Sequence, residues 1–152
     1  MDTLVAFFMS MLPILELRGG LVFSSIHGIP FWEAFIVCFL GNILPIPFIL
    51  LFLRKVFALL KGYRHTAKLV LWLEGKADKA KRKIGKYELL GLYLFVAIPL
   101  PGTGAWTGAL VAAVFDMQIK RALPIIGLGV VSAGVIMSVV SYLIPGMFFA
   151  YR

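Results

Sequence analysis

The stretches LPILELRGGLVFSS (residues 12–25) and LPGTGAWTGALVAA (residues 100–113) are two copies of one pattern. In each copy an apolar segment is interrupted by polar and glycine residues, ELRGG (16–20) in the first and PGTGAWTG (101–108) in the second. Three positions recur with the same spacing of 88 residues, as the pairs Pro13 and Pro101, Gly20 and Gly108, and Gly41 and Gly129. Duplicated halves with interrupted apolar segments predict a membrane transporter whose substrate site lies at the interruptions.

The composition is that of an integral membrane protein. Hydrophobic residues make up 61% of the 152 residues and charged residues only 14%, and the mean hydropathy is +0.98. A soluble domain of this length would lack the polar surface needed to cover such a core. The first ten residues, MDTLVAFFMS, contain neither a basic region nor a small-residue cleavage site. We therefore expect them to be retained and not removed as a signal peptide.

Few residues are available for metal binding or catalysis. The single Cys38 lies in an apolar run and only two histidines are present, so no disulfide framework, thiolate metal site or His-rich metal site is expected. The sequence also contains no HExxH or GxSxG motif. We therefore expect a protein without a cofactor that is not an enzyme.

The basic charge is concentrated in residues 54–88, which contain 11 of the 15 Lys and Arg residues and three of the seven acidic residues. The positive-inside rule assigns such a block to the cytoplasm. Leucines and valines among its lysines and arginines suit an amphipathic helix that lies along anionic lipid headgroups, and a solvated loop with only a topogenic charge is the alternative. Because the block lies between two apolar halves, we expect no nucleic-acid partner.

Two apolar runs, 34–53 and 123–144, are long enough to cross a hydrocarbon core about 30 Å thick. After the basic block come two shorter apolar arms, 89–100 and 105–115, each too short to cross. A helical hairpin that enters and leaves on the cytoplasmic side keeps the flanking basic residues on that side. A single tilted and kinked helix is the alternative.

The first copy has the same shape, with arms 3–15 and 21–26 around Glu16–Gly20. One span separates its hairpin from the basic block, so this hairpin enters from the opposite side and the two halves are inverted. The predicted fold is an all-α integral membrane protein of the cell membrane, crossing it more than once. In it, each half of an inverted-topology repeat combines a re-entrant hairpin with a transmembrane helix. Its parts are repeat 1 (3–53), the cytoplasmic amphipathic helix (54–88) and repeat 2 (89–144), within one domain.

A charged pair in the first hairpin is the strongest chemical signal. Glu16 and Arg18 lie in an otherwise apolar stretch, where an ionisable group costs at least about 2.5–3.5 kcal/mol near the bilayer centre. Arg18 beside Gly19 and Gly20 suits an oxyanion, because its guanidinium forks around the anion while glycine backbone lets the anion come close. Glu16 is either a proton carrier or the ion-pair partner of Arg18, and an ion pair that merely closes the hairpin remains an alternative.

The second hairpin offers backbone and hydroxyl donors without charge. Its prolines break the incoming helix, its glycines permit a tight turn, and a half-helix that starts near Trp106 points free N–H groups at the tip. Asn42 in the first span is a secondary candidate that serves the substrate or links helices. The predicted substrate-binding residues of this hairpin are Pro99, Pro101, Gly102, Thr103, Gly104, Trp106 and Thr107.

The segments LPILELRGG (12–20) and AIPLPGTGAWTGALVAAVFDM (97–117) resemble those of the bacterial and archaeal small multidrug export protein family. This family is similar to the DedA superfamily and to the lipid scramblases with a VTT domain. The resemblance implies two opposed re-entrant hairpins and a lipid substrate such as undecaprenyl phosphate or a phospholipid. It also implies an acidic hairpin residue at Glu16 and a second hairpin at Pro99–Gly108. The arginines of the DedA second motif have no counterpart here, since that region reads GTGAWTGAL.

Two functions fit these features. The first is transport of an anionic lipid or a small amphipathic molecule, coupled to protons through Glu16, with the tips of the two hairpins meeting near the bilayer midplane. The alternative is a membrane scaffold or assembly protein that recruits partners or anionic lipid through residues 54–88. The partners are then membrane lipids and other copies of the chain. We expect a homodimer or larger oligomer that uses small residues, Gly127, Gly134 and Ser138, for close helix contact.

Overall fold

The computed structural model describes residues 1–84, 87–100 and 102–143. These residues form α-helices followed by a short π-helix, Val139–Leu143, and the described ranges contain no strand. The all-α prediction is therefore confirmed. The helices are α1 (Asp2–Met11), α2 (Glu16–Ile26), α3 (Phe31–Ile43), α4 (Ile46–Gly62), α5 (Arg64–Ile84), α6 (Glu88–Ala97), α7 (Ala105–Val114) and α8 (Ile119–Ser138).

Within the described ranges, two helical stretches are long and apolar enough to cross a membrane. The first is Phe31–Gly62, with 32 residues, and the second is Ile119–Leu143, with 25 residues. They contain the predicted spans, except that residue 144 lies outside the described residues. The first stretch is interrupted between α3 and α4, where Leu44 and Pro45 keep helical backbone angles. Pro45 explains the interruption, because proline has no N–H to donate to the preceding turn.

The two predicted arms of the second copy, 89–100 and 105–115, correspond to α6 and α7, which are separate helices. That they re-enter the membrane from one side stays a prediction. In the first hairpin the predicted interruption is wrong. The helix breaks at residues 12–15, and Glu16–Gly20 forms the first turns of α2. Pro13 explains the break, because it forces Leu12 before it into an extended conformation.

The turns that follow α2 and α7 repeat each other 88 residues apart. After α2 the N–H of Ile29 donates to the carbonyl of Ser24 (3.0 Å), and after α7 the N–H of Met117 donates to that of Ala112 (2.9 Å). The residue before each donor has a left-handed φ, +68° in the first turn and +47° in the second. Both helices thus end in the same type of C-terminal motif.

The repeated glycines also make equivalent contacts. A Cβ on Gly41 of α3 would lie 2.4 Å from the carbonyl oxygen of Phe7, and one on Gly129 of α8 would lie 2.7 Å from Cβ of Val96. Gly41 thus lets α1 approach α3, and Gly129 lets α6 approach α8. Beyond these pairs, α2 packs on α8 and α7 packs on α4, so each half contacts the span of the other.

This close packing predicts a difference between two glycines of α8. We expect Gly129→Ala to lower the free energy of unfolding by about 1–3 kcal/mol, because the added methyl group overpacks the contact with Val96. A Cβ on Gly127 meets nothing within 4 Å, so Gly127→Ala should leave stability unchanged or raise it by up to about 1 kcal/mol. Denaturant titration in detergent micelles measures both, and equal losses would contradict the packing.

The predicted oligomer face of Gly127, Gly134 and Ser138 is wrong in two of its three residues. A Cβ on Gly134 would lie 2.8 Å from the ring of Phe35 on α3, and the buried Ser138 donates to the carbonyl of Gly134. These small residues therefore pack inside the molecule. Oligomerisation itself stays a prediction.

Most of the basic segment 54–88 lies in two helices. Its first part continues α4, where the half-buried Arg54 donates to the carbonyl of Met117 and lies 3.8 Å from the carboxylate of Asp116. Residues 64–84 form α5, which packs on α4 and is linked to it by the ion pair of Lys61 and Glu74 (2.6 Å). A helix is therefore present as predicted, although it begins at Arg64 and not at residue 54. Residues 85 and 86 lie outside the described residues, and the cytoplasmic position stays a prediction.

The amphipathic pattern of α5 is present in the part whose side chains are described. Val70 and Ala77 are buried, whereas Leu69 and Trp72 are exposed. The ammonium group of Lys76 lies 4.0 Å from the ring centre of Trp72. This outer face thus combines apolar groups with positive charge, as surface-lying membrane helices do.

Candidate functional site

The two predicted site segments meet in the structure, at the start of α2 and the loop between α6 and α7. Glu16 is only 5% exposed, and its Oε1 accepts the backbone N–H of Trp106 (3.1 Å). Trp106 lies in the first turn of α7, so the carboxylate caps the positive end of that helix dipole. The first hairpin therefore provides the N-terminal cap of a helix in the second.

Gly104 makes this contact possible. It precedes α7 with a φ of +140°, and a Cβ at this residue would lie 1.9 Å from Oε2 of Glu16. The carboxylate thus occupies the space that a side chain would fill. Gly104 is also the residue 88 positions after Glu16, so equivalent positions of the two copies touch each other here.

Arg18 contacts the opposite end of the second hairpin's break. Its Nη1 donates to the carbonyl of Leu100 (2.6 Å), and its Nη2 lies 3.3 Å from the carbonyl of Ile98 and 3.1 Å from Oγ1 of Thr103. Ile98 follows the last residue of α6. A cation therefore faces the negative end of the α6 dipole, where it is favourable.

Thr103 organises the loop that Arg18 binds. Its Oγ1 lies 2.8 Å from the carbonyl oxygens of both Ile98 and Leu100, and it accepts the backbone N–H of Leu100 (3.2 Å). The hydroxyl thus binds carbonyl oxygens just beyond α6 that backbone N–H groups would bind if the helix continued. Thr103 and Arg18, candidates from the two predicted site segments, therefore contact each other.

In a third contact, a side chain of the second hairpin binds the backbone of the first hairpin. The indole Nε1 of Trp106 donates to the carbonyl of Met11 (3.1 Å), the last residue of α1. Three broken helix ends, those of α1, α6 and α7, are thus satisfied by side chains of the opposite hairpin. We call this arrangement the crossed caps. Each of these helix ends thus receives a hydrogen bond from within the protein.

The structure contradicts the ion-pair alternative for the first hairpin. Glu16 and Arg18, both fully described, form no ion pair with each other, and each binds the second hairpin instead. Both side chains lie on the first turns of one helix but point to opposite ends of the facing break. The pair therefore joins the two halves and does not close its own hairpin.

Two spaces adjoin the crossed caps. One is an apolar groove of about 610 Å³, in which Arg18 is the only charged side chain among the described lining residues. The groove is lined by Met9, Ile14, Leu15, Arg18, Gly19, Val22, Phe23, Ile26, Pro99, Leu100 and Met137. The other is a small cavity of about 10 Å³ lined by Glu16 and Asn42. The predicted residues Gly19, Pro99 and Asn42 thus border one of these spaces.

Other predicted residues have different places. Gly20 serves packing, since a Cβ there would lie 2.0 Å from Oγ of Ser10, so its predicted role in ligand approach is wrong. The hydroxyl of Thr107 lies 3.4 Å from the carbonyl of Gly104, one turn back along α7. Gly102 is exposed with a φ of +82°. Pro101 lies outside the described residues.

The sequence gives no signal for several groups that complete the site. Leu100, Ile98 and Met11 take part through backbone carbonyls, which every residue carries, so their side chains reveal nothing. Leu17 and Val130 line the small cavity as ordinary apolar residues. Only the folded arrangement identifies these contributions.

The comparisons with known proteins identify a family for this chain. A family model described as "Putative small multi-drug export protein" matches residues 16–136, from the start of α2 into the second half of α8. No curated protein and no solved structure matches the chain significantly. The family match and the two apolar helices together indicate a membrane protein of an export family. Because the match covers most of its 152 residues, the chain belongs to the family of small multi-drug export proteins.

Proposed function

We propose that the protein exports an anionic amphipathic molecule, either a lipid with a phosphate headgroup or a smaller compound of that chemistry. The observation that carries this proposal is the position of Arg18 in the wall of the apolar groove. An acyl or prenyl chain is compatible with the apolar lining, and a phosphate is the anion that a guanidinium binds best. The groove of about 610 Å³ has the size of a typical ligand site.

Binding of an anion competes with the contacts that Arg18 makes in this structure. The guanidinium now serves the carbonyls of Leu100 and Ile98. A phosphate carries full negative charge and therefore draws the guanidinium away from neutral carbonyl oxygens. Arrival of the headgroup thus loosens one of the crossed caps, which links substrate binding to movement of the second hairpin.

Glu16 supplies the coupling to protons in this scheme. As a carboxylate it holds the N-terminus of α7 through the N–H of Trp106. Protonation removes the negative charge that the helix end favours, so the second crossed cap weakens as well. The proton and the substrate thus each weaken one of the crossed caps that join the two halves.

In this proposal the chain forms an inverted repeat with re-entrant hairpins in the cell membrane. Support comes from the turns that recur 88 residues apart and from the crossed caps, which allow irregular backbone to lie at membrane depth. The positive-inside rule then assigns α5 and the rest of residues 54–88 to the cytoplasm. Copies of the chain cover one another's apolar flanks in this arrangement, and lipids cover the remainder.

The binding step is testable with purified protein in lipid nanodiscs. We expect dodecyl phosphate to quench or shift tryptophan fluorescence saturably, and neutral dodecyl maltoside to have no such effect at the same concentration. In Arg18→Gln we expect the apparent Kd for dodecyl phosphate to rise about tenfold or more, which corresponds to loss of one charge-assisted contact of about 1.4 kcal/mol.

Arg121→Gln is the matched control, because Arg121 is an exposed arginine of α8 outside the groove. It should bind dodecyl phosphate as the unmodified protein does. Equal binding of phosphate and maltoside detergents, or an unchanged Kd in Arg18→Gln, would refute the proposed substrate class.

A scaffold function remains the second candidate, and the exposed apolar and basic face of α5 favours it. If α5 recruits a partner or anionic lipid as the main activity, replacing Lys76 and Lys79 with Gln should abolish function while Arg18→Gln preserves it. If transport is the main activity, Arg18→Gln should abolish function and replacement of Lys76 and Lys79 should preserve it. Assaying both variants in one proteoliposome experiment separates the two functions.

A further inference from the structure

The small cavity beside Glu16 lies where the two halves of the chain meet. Three pairs of residues separated by 88 positions line it together: Glu16 and Gly104, Leu17 and Ala105, and Asn42 and Val130. In two of these pairs one residue is polar and the other is not, and the polar residue, Glu16 or Asn42, comes from the first half. The polar side of the cavity therefore belongs to the first half, and the second half contributes small and apolar residues.

Asn42 is unsatisfied in this position. Its side chain is only 2% exposed, and its Oδ1 is buried without a hydrogen-bond partner. An unpaired buried acceptor of this kind costs about 1–3 kcal/mol. Asn42 lines the same cavity as the carboxylate of Glu16, which is itself buried. Two buried oxygen acceptors thus border one small space.

The size and the chemistry of the cavity fit a single water molecule. Its volume of about 10 Å³ is close to the minimum of about 10–15 Å³ that one water needs. A water has two O–H donors, which match the two acceptors. A metal ion fits poorly, since Ca²⁺ and Mg²⁺ take about six or more oxygen ligands and the described residues contain no group of three His, Cys, Asp or Glu side chains.

We propose that one water binds in this cavity, donates one hydrogen bond to Asn42 Oδ1 and the other to the Glu16 carboxylate, and so makes Asn42 a positioning residue for the proton step. The proton part rests on the proposed function, whereas the water site does not. A proton from bulk solvent that reaches this water passes to the carboxylate. The resulting carboxyl O–H then donates to the water oxygen, and the water still donates to Asn42.

The electrostatic surroundings favour a neutral occupant. Arg18 is the one charged side chain besides Glu16 among the described residues that line the cavity, and the lining from α3, α6, α7 and α8 is otherwise uncharged. The carboxylate already accepts a hydrogen bond at the positive end of α7. A bound cation would add more positive charge than the Glu16 carboxylate balances, whereas a water adds no charge.

Infrared difference spectroscopy between high and low pH tests the proposal without a transport assay. We expect a carboxyl C=O band from Glu16 and a water O–H band that shifts in H₂¹⁸O. Glu16→Gln should remove both bands. Asn42→Leu should keep the carboxyl band, move its frequency and remove the water band. Cys38→Ala, one turn away on α3, is the matched control and should keep both.

Three outcomes would overturn the water site. A water band that survives Asn42→Leu unchanged places that water elsewhere. Displacement of the band by Na⁺ but not by K⁺ means that the cavity binds a metal ion. A structure of the unmodified protein at better than about 2 Å resolution without density between Glu16 and Asn42 shows an empty cavity, even if Asn42→Leu fails to fold. None of these readouts depends on dodecyl phosphate binding, so the two proposals fail separately.

Discussion

Gly104→Ala is expected to destabilise the protein by roughly 3 kcal/mol or more and to abolish transport. The new methyl group would lie 1.9 Å from Oε2 of Glu16, and an L-residue would be strained at a φ of +140°. Strain of this kind costs about 1–3 kcal/mol, and displacing a buried carboxylate from its helix end adds a comparable amount. Denaturant titration in mild detergent, followed by tryptophan fluorescence, measures the loss.

Gly102→Ala provides the matched control two residues earlier. Gly102 also has a positive φ, +82°, but a Cβ there meets nothing within 4 Å. Its substitution should therefore cost only the conformational strain, about 1–2 kcal/mol. If both variants lose the same amount, the space occupied by the Glu16 carboxylate is not what requires glycine at position 104.

Glu16→Ala should be nearly as damaging as Gly104→Ala. It removes the acceptor of the Trp106 N–H and leaves that donor buried and unpaired, at a cost of about 1–3 kcal/mol. Arg18 also loses the nearby negative charge, which adds to the loss. Glu16→Gln keeps an acceptor oxygen, so we expect it to retain most of the stability while losing the dependence of transport on pH.

Glu33→Ala is the control for a glutamate in the first turn of a helix. Glu33 lies in the first turn of α3 and accepts a hydrogen bond from Thr3, but it is exposed. Its removal should change the free energy of unfolding by less than about 0.5 kcal/mol. A loss as large as that of Glu16→Ala would mean that any first-turn carboxylate matters equally, and the crossed caps would then have no special role.

The two short helices of the second copy and the two long apolar helices could be predicted from the sequence because their signals are local. Pro99 ends α6 and the glycines after it mark a turn, whatever surrounds them. In the first hairpin the same reasoning misplaced the break, since Gly19 and Gly20 suggested a turn. Gly20 is in fact a helical residue that makes room for Ser10 and Cys38, and only tertiary packing distinguishes these two uses of glycine.

The hydrogen-bond partners of the two charged residues could not be predicted from the sequence either. The sequence identified Glu16 and Arg18 as functional candidates, because buried charge in an apolar segment is costly. It left an ion pair between them as one alternative, whereas each binds backbone more than 80 residues away. Backbone donors and acceptors leave no trace in a sequence. For the same reason the stripe of Gly127, Gly134 and Ser138 indicated close contact but not that two of the three residues pack inside the molecule.

The crossed caps also set an order for biogenesis. During synthesis, α1 and α2 leave the ribosome long before Trp106 exists, so the carbonyl of Met11 lacks the indole that later binds it. We therefore expect the nascent N-terminal half to have open helix ends until α7 arrives. A product truncated before α7 should be less stable in the membrane than the full chain. Co-expression of the two halves from separate transcripts should restore that stability.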